Sequence, residues 1–230
     1  LFERGARKIT LTKEGILFKR RAEEILSLIN KTEKEITCES EEIEGTITIG
    51  GGELKSVDFL AEKMAEFQKR HPKVFFEFQT TTSDIIKEQM DKGLLDMGLL
   101  LEPIEIDRYN YFRIPVKEIW CAMVSDKSKL ANKKRIKPAD LINEKFILPR
   151  RNNIKNELSA WLGTDITKLN IVATHNLNSN SAVMVSKGLG TSLCIETDMI
   201  KSFPGIKVIP LEPELSARTV VAWKKNIPMN

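Results

Sequence analysis

A narrow apolar stripe runs through the first part of the chain. From Leu11 onward, apolar or small side chains recur at spacings of seven, four, three, four, three and four residues, and the positions between them are mostly Lys, Arg and Glu. This spacing is typical of a helix with a heptad seam of about three repeats. Thr12 is a good N-cap, and Glu14 lies in the first turn, where the helix dipole favours an acid. The stripe consists of Leu11, Phe18, Ala22, Ile25, Ile29, Thr32 and Ile36.

After the acidic segment 39–44, the pattern changes to alternating strands and helices. Residues 45–50 alternate with period two, as a strand does, and Gly50-Gly51-Gly52 ends that alternation. Residues 96–101 are nearly all apolar, as expected of a strand that is covered on both faces. Strand, helix, strand, helix, strand of this length is a doubly wound α/β unit. The predicted elements are strands at 45–50, 74–79 and 96–101 and helices marked by 57–67 and 83–90.

A second unit of short strands and helices begins near residue 118. Its last predicted strand, residues 218–223, has no obvious partner within the unit, so we predict that it crosses back into the first sheet. The other predicted elements are strands at 118–124, 146–148, 171–174, 191–195 and 206–209, a short helix from Pro138, and helices at 154–162, 178–187 and 198–202.

The composition is that of an ordinary globular protein. The 230 residues are enough for one large or two smaller domains, and 41% of them are hydrophobic and 30% charged. No apolar run approaches the roughly 18 residues of a membrane-spanning helix, and no signal peptide is recognisable. Cys38, Cys121 and Cys194 form no CxxC pair, which favours reduced thiols over a zinc or dithiol site. We therefore expect a cytoplasmic protein with no membrane partner.

Positive charge is concentrated at one end of the chain. The net charge is +4, and residues 1–21 hold seven Lys or Arg residues against two Glu residues. Such a segment is expected where a protein faces phosphates, but it is also common as a solvated face. Charge alone leaves both interpretations open.

The apolar stripe of the first helix can pack against a second copy of itself or against the chain's own next domain. A helix with a narrow stripe and otherwise charged faces commonly pairs with a copy of itself. Because Ala22 is small, the seam is weak, and the helix is not expected to hold a dimer alone. The predicted dimerisation residues are Phe18, Ala22, Ile25, Ile29 and Ile36.

Three motifs in order resemble those of one protein family. The first is Leu1-Phe2-x-Arg4-x-x-Arg7-x-x-x-Leu11-Thr12-x-x-Gly15. The second combines Gly45-Thr-Ile-x-Ile-Gly50, Phe67-x-x-x-His71-Pro72 and Gly93-Leu-Leu-Asp96. The third is Gly188-Leu-Gly190-Thr-Ser-Leu. Together they resemble the LysR-type transcriptional regulators over essentially the whole chain.

The resemblance implies an α/β fold with a two-lobed effector-binding domain of periplasmic-binding-protein type, preceded by a long linker helix and a remnant of a winged helix-turn-helix. It also implies a homodimer, or a homotetramer built from dimers. The rest of the helix-turn-helix before Leu1 and the family's usual last helix are expected to be missing. The implied segments are the wing (1–11), the linker helix (12–39), subdomain I (45–101 plus 211–230) and subdomain II (102–210).

The resemblance makes Arg4, Arg7 and Thr10 the candidate DNA contacts. A wing presents basic and hydroxyl groups to phosphates, and such contacts position a protein without specifying sequence. The alternative is that the basic side chains only solvate a turn. Without a recognition helix, this chain is not expected to read an operator sequence.

The effector of such a domain is expected in the cleft between the lobes, at the C-terminal ends of the strands. Helix starts that converge there offer free N–H groups to a carboxylate or another anion. In the resembled family a Ser or Thr at the position of Ser83 usually binds effector. The candidate effector-binding residues are Glu53, Leu54, Thr82, Ser83, Arg150, Arg151, Asn178 and Ser179.

Each of these candidates also has a purely structural interpretation. Ser, Thr and Asn are ordinary N-caps, and Arg150 and Arg151 pair either with a ligand carboxylate or with surface acids. Glu53 would repel an anionic effector. It indicates a cationic or zwitterionic ligand, or a side chain that points outward, and the sequence does not decide between them.

The sequence contains no recognisable catalytic, metal or cofactor motif. His71 and His175 lack a matching nucleophile or acid and are predicted to be structural, and neither a P-loop nor an HExxH motif occurs. The leading hypothesis is a LysR-type regulator without a cofactor, whose effector shifts the geometry of a DNA-bound oligomer. A solute-binding protein of the same fold would have no use for a basic heptad helix. An enzyme of that fold would need an acid–base pair or a cofactor lysine.

Overall fold

The N-terminal segment is a β-hairpin followed by one long helix. Strand β1 (Phe2–Arg4) pairs antiparallel with β2 (Ile9–Leu11), and helix α1 spans Lys13–Thr37. A long helix at this position was predicted from the apolar stripe. The computed structural model describes residues 1–4, 9–37, 43–104, 108–150 and 152–225.

Helix α1 begins where the sequence predicts. The hydroxyl oxygen of Thr12 accepts a hydrogen bond from the N–H of Gly15 at 3.0 Å, as an N-cap does. The N–H of Thr12 donates to the carbonyl oxygen of Leu1, also at 3.0 Å. A Cβ atom on Gly15 would lie 2.1 Å from that carbonyl oxygen. The glycine of the first motif therefore allows the hairpin to pack against the start of α1.

The first α/β unit, here called lobe I, has three parallel strands and two helices. Strand β3 pairs in parallel with both β4 and β5. Helix α3 packs over the sheet through Ile86 and Met90, which share a buried cluster with Leu95 and Leu100. The predicted order of elements is confirmed. The elements are β3 (Gly45–Gly51), α2 (Ser56–Arg70), β4 (Val74–Thr80), α3 (Ser83–Asp91) and β5 (Met97–Leu101).

Asp96 joins the start of β5 to β3. Its Oδ2 accepts hydrogen bonds from the N–H of Thr48 at 2.8 Å and from the Thr48 hydroxyl at 2.7 Å. The N–H of Asp96 donates to the carbonyl oxygen of Thr48 at 2.9 Å. The acid in Gly93-Leu-Leu-Asp96 thus has a structural role in aligning neighbouring strands.

Two long antiparallel strands connect lobe I to the second unit. Strand β6 spans Tyr109–Ser125 and pairs with β11, which spans Ser216–Lys224. Strand β11 also pairs antiparallel with β5. The prediction that the last strand crosses back into the first sheet is therefore confirmed.

The predicted start of β6 is wrong. The prediction placed it at Glu118, whereas the strand begins at Tyr109. Pro115 interrupts the pattern in this stretch, because proline has no N–H to donate to a neighbouring strand. The register with β11 shifts between Arg218 and Val220, opposite the proline, and this irregularity accommodates it.

The second unit, here called lobe II, is built on the C-terminal half of β6. Strands β9 and β10 pair antiparallel with β6, and β7 pairs in parallel with both β8 and β9. The helix predicted from Pro138 is a short 3-10 turn, Pro138–Leu141. The elements are β7 (Lys145–Pro149), α4 (Asn152–Leu162), β8 (Asn170–His175), α5 (Asn178–Ser186), β9 (Thr191–Ile195), α6 (Asp198–Lys201) and β10 (Ile206–Pro210).

The strands of both lobes follow one another in a single order. Across the described ranges that order is β4-β3-β5-β11-β6-β9-β7-β8, with β10 paired to β6. Because β6 and β11 run through both lobes, the subdomain boundaries at 101/102 and 210/211 stay predictions.

At Gly190 a Cβ would lie 2.5 Å from the carbonyl oxygen of Lys145, so this glycine lets the start of β9 approach β7. No helix in the described ranges is both long and apolar enough to cross a membrane.

Candidate functional site: the cleft between the lobes

A small cavity of about 110 Å³ lies between the lobes. Its walls come from the loop after β3, the start of α3, the end of β7 and the start of α5, and its floor from β5, β6 and β9. The predicted effector residues that line it are Glu53, Leu54, Thr82, Ser83, Arg150 and Asn178. Ser179 does not line the cavity, and Arg151 lies outside the described residues.

The start of α3 presents polar groups to this cavity. Its N-cap, Thr82, has an extended backbone (φ −80°, ψ 150°), and its side chain makes no capping hydrogen bond. Thr82 and Ser83 are both half-buried. Asp84 in the first turn is exposed, and its carboxylate lies 3.7 Å from Lys87. No described carboxylate accepts a hydrogen bond from the first N–H groups of α3. These N–H groups can therefore donate to an anion that comes from outside the chain.

The start of α5, on the opposite wall, is occupied by Glu53. The Oε2 atom of Glu53 accepts hydrogen bonds from the N–H groups of Asn178 and Ser179, the second at 3.2 Å. The N-cap of α5 is Leu177, which has no polar side chain of its own. Glu53 belongs to lobe I and α5 to lobe II. Its side chain therefore points not outward but across the cleft.

A third helix start, that of α2, also holds a carboxylate of the chain. Glu118 on β6 is fully buried, and it accepts hydrogen bonds from the N–H groups of Lys55 and Ser56, each at 2.9 Å. The hydroxyl of Thr219 on β11 donates to it at 2.9 Å as well. Sequence reasoning missed this role, since Glu118 and Ser56 are 62 residues apart.

The wall from lobe II is polar. The N–H of Arg150 donates to the carbonyl oxygen of His175 at 2.9 Å, and the Arg150 side chain is exposed. His175 is buried, with Nδ1 3.1 Å from the carbonyl oxygen of Leu177 and Nε2 3.5 Å from the hydroxyl oxygen of Ser192. Burial lowers the pKa of His175 below its ordinary 6.5, although the Leu177 contact and the charge of Glu53 act in the opposite direction. These contacts fix the His175 side chain in the wall of the cavity.

The floor of the cavity is apolar, and Trp120 contributes to it. Leu99, Leu101 and Ile195 are buried beside this tryptophan. The indole N–H of Trp120 is buried and has no acceptor among the described residues. A buried donor without a partner costs on the order of 1–3 kcal/mol, which a ligand oxygen within reach would offset. Sequence reasoning treated Trp120 as the interior of a strand and missed it.

Cys121 and Cys194 face each other across β6 and β9 beside this floor. Both are buried free thiols, and their Sγ atoms are 3.7 Å apart. The hydrogen bond with Cys194, together with burial, raises the pKa of Cys121 well above its ordinary value. A protonated, buried thiol is a poor nucleophile. Cys38 lies outside the described residues.

A larger opening, of about 690 Å³, lies beside the connecting strands. Two of its basic side chains form ion pairs within the chain: Arg113 with Glu102 at 3.0 Å, and Lys117 with Glu214 at 3.5 Å. None of the predicted effector residues lines it. The interlobe cavity is therefore the better candidate site, although it is smaller.

The predicted DNA contacts belong to the N-terminal hairpin. Thr10 is exposed on β2 and pairs with Glu3, and the backbone of Arg4 pairs with Ile9. The side chain of Arg4 and all of Arg7 lie outside what the structure describes. DNA contact at this hairpin therefore stays a prediction.

One face of α1 is exposed and apolar, and another lies against lobe I. The exposed members of the predicted stripe are Phe18, Ile25 and Ile29, with 46–61% of their surface accessible. Ala22 is half-buried, and the side chain of Ile36 is outside the described set. On the lobe I side, Leu28 comes close to Gly93 after α3, where an added Cβ would lie 3.7 Å from the leucine Cδ2. Lobe I thus covers only part of α1.

Comparison with known proteins agrees with this architecture. Residues 40–230 match the family model described as the LysR substrate binding domain. The HTH-type transcriptional regulator YtlI of Bacillus subtilis is 28% identical over 216 residues, which cover 92% of this chain and 68% of that protein.

Two solved structures show the same fold. The effector binding domain of QuiR in complex with shikimate has a TM-score of 0.72 at 16% identity, and the match covers 82% of this chain and 91% of that chain. HinK, a LysR family transcriptional regulator from Pseudomonas aeruginosa, has a TM-score of 0.65 at 22% identity, with 96% and 76% covered. With the family model matched over both lobes, the chain belongs to the LysR family of transcriptional regulators.

Proposed function

We propose that this chain is the sensing and assembly part of a cytoplasmic DNA-binding regulator, and that its cleft binds a small-molecule effector through an acidic group at the start of α3. The observation that carries the proposal is the open start of α3 at the cavity wall. An anion there would gain N–H donors and the positive end of the helix dipole. The exposed Arg150 on the opposite wall adds a positive charge.

Effector binding requires the cleft to open. The cavity of about 110 Å³ is smaller than the roughly 300–1,000 Å³ typical of ligand pockets. Because β6 and β11 cross between the lobes, we propose that they act as the hinge. An effector shifts the lobe arrangement only if it binds one arrangement more tightly than the other.

Helix α3 offers a route from the cleft to α1. Its start lines the cavity, and its end lies beside α1, where Gly93 is close to Leu28. The hydrogen bond with Arg21 is the main cause of the lowered pKa of Glu24, and the positive charge of Lys92 across this junction contributes to it. A shift of α3 would therefore move the part of lobe I that contacts α1. Because α1 is the proposed dimer helix, this movement would change the geometry of a DNA-bound oligomer.

Assembly would use the exposed stripe of α1, paired with α1 of a second copy in a homodimer or within a homotetramer. Ile25→Glu should lower the mass measured by light scattering, because it places a charge in the apolar seam. Ser27→Glu, at an exposed polar position of the same helix, is the matched control. An unchanged mass for Ile25→Glu would exclude α1 as the interface.

DNA contact would use Arg4, Arg7 and Thr10 of the hairpin. Phosphate contacts hold DNA irrespective of sequence, so Arg4→Ala should weaken binding about equally for all duplexes and make it less salt-dependent. Fluorescence anisotropy at several salt concentrations measures both effects. A loss confined to one duplex sequence would contradict phosphate contact.

The effector site is tested by a thermal-shift panel of small carboxylates, amino acids and sugars. A carboxylate that raises the unfolding temperature of the wild type should do so less for Ser83→Ala, because the hydroxyl at the start of α3 is lost. Ser202→Ala is a control, since that exposed hydroxyl lies at the end of α6 and donates to the carbonyl oxygen of Asp198 at 2.9 Å. Shifts that Ser83→Ala leaves unchanged would contradict the placement.

A further inference from the structure

Glu53 makes a contact between the lobes that the fold itself does not require. It follows β3 in lobe I, lines the cavity and is half-buried. Its Oε2 atom accepts from the N–H groups of Asn178 and Ser179, the first two residues of α5 in lobe II. Opening the cleft at this wall would separate the carboxylate from both donors.

The start of α5 depends on this carboxylate. Leu177 at the N-cap has no side-chain oxygen, and no capping hydrogen bond forms within the helix start itself. An ionised acceptor makes hydrogen bonds roughly twice as strong as a neutral one. The negative charge also faces the positive end of the α5 dipole.

We propose that Glu53 is an intramolecular ligand of lobe II: a latch that holds the lobes together before an effector binds and keeps external anions away from α5. The part of this inference that concerns effectors rests on the proposed function of the cleft. With α5 already holding a carboxylate, the acidic group of an effector is directed to the start of α3. Opening the cleft then has to break the two hydrogen bonds to Glu53.

A double-mutant cycle on the whole chain tests the latch without any ligand. Glu53→Gln removes the charge, and Asn178→Pro removes one donor. Proline is well tolerated at the first position of a helix. Leu177 before it has an extended backbone (φ −124°, ψ 134°), which a following proline requires. The change therefore deletes the N–H with little disturbance of α5.

Both variants should weaken the same contact. For a chain of this size we expect Glu53→Gln to lower the unfolding temperature by about 2–4 °C. The double variant should lose clearly less than the sum of the two single losses, because the contact can be broken only once. Glu62→Gln, at an exposed position of α2, is the control: its loss of unfolding temperature should simply add to that of Asn178→Pro. Additive losses for Glu53→Gln and Asn178→Pro would overturn the latch.

An anion titration followed by amide NMR supplies a second readout, with sodium acetate as the probe. In Glu53→Gln the amides of Asn178 and Ser179 should shift on adding acetate, whereas in the wild type they should not. Equal responses of these amides in both proteins would overturn the exclusion of anions from α5. The response of Ser83 and Asp84 reports separately on the proposed effector site, so a failure there leaves the latch result standing.

Discussion

Helices α3 and α5 begin on opposite walls of one cleft, and their first N–H groups are in opposite states. At α5 a carboxylate from the other lobe accepts from Asn178 and Ser179. At α3 the Thr82 side chain makes no cap, and no described carboxylate is bound. The same backbone geometry thus holds a contact between the lobes on one wall, and on the other it leaves the first N–H groups without a described carboxylate partner. A helix start is a binding site only when the chain does not fill it.

The start of α2 also holds a carboxylate of the chain, and this carboxylate is fully buried. Glu118 accepts from two N–H groups there and from the hydroxyl of Thr219, with no solvent access. The three helix starts therefore form a series: α2 is filled and buried, α5 is filled at the cavity edge, and α3 is open. Changes at the start of α2 should therefore have the largest effect on stability.

The largest effect is expected at α2. Glu118→Gln keeps the shape of the side chain but replaces one acceptor oxygen by an NH2 group, which leaves a buried donor unpaired. We expect the free energy of unfolding to fall by about 3 kcal/mol. Denaturant unfolding followed by circular dichroism measures it, with the exposed Glu62→Gln as control. A loss no greater than that of the control would show that Glu118 does not hold α2.

An intermediate effect is expected when α3 is given a carboxylate of its own. Thr82→Asp places an acid at the N-cap, which should raise the free energy of unfolding by about 0.5–1 kcal/mol. It should also abolish the thermal shift produced by any carboxylate found in the panel, because the anion position is then filled. Thr82→Asn caps the helix without charge and should keep part of that response. Undiminished binding to Thr82→Asp would place the acidic group elsewhere.

The smallest effect concerns His175 beneath the start of α5. Burial lowers its pKa in the folded protein, so it stays neutral there at a pH where the unfolded chain, with the ordinary value of 6.5, begins to bind a proton. Stability should therefore decrease as the pH falls below about 6.5 and level off below the folded-state pKa. Thermal unfolding of the wild type and of His175→Gln over this range measures the difference. If the stability of the wild type fell no more steeply with decreasing pH than that of the variant, burial of a neutral His175 would not be the cause.

The sequence predicted the elements well where periodicity and breakers agree. The α1 stripe, the Thr12 cap and the strand–helix alternation of lobe I have observed counterparts. The start of β6 was missed because Pro115 hides a strand whose pairing with β11 is irregular at that point. Local patterns identify an element, but they do not show which distant strand tolerates a proline.

The candidate site was predicted only in part, for a related reason. Thr82, Ser83, Asn178 and Ser179 were all predicted as polar residues at a helix start, and Ser83 was predicted also from the family resemblance. What distinguishes the two starts is Glu53, which is 125 residues from Asn178 and contacts it only through the fold. The roles of Glu118 and Trp120 depend on tertiary contacts of the same kind, so no local sequence signal points to them.

The contrast between the two cleft helices is tested most directly by titrating the wild-type chain with sodium acetate and following the backbone amides by NMR. The structure predicts shifts at Ser83 and Asp84, at the open start of α3, and none at Asn178 and Ser179, whose N–H groups already donate to Glu53. Shifts at Asn178 and Ser179 with no response at α3 would contradict the assignment of the anion site.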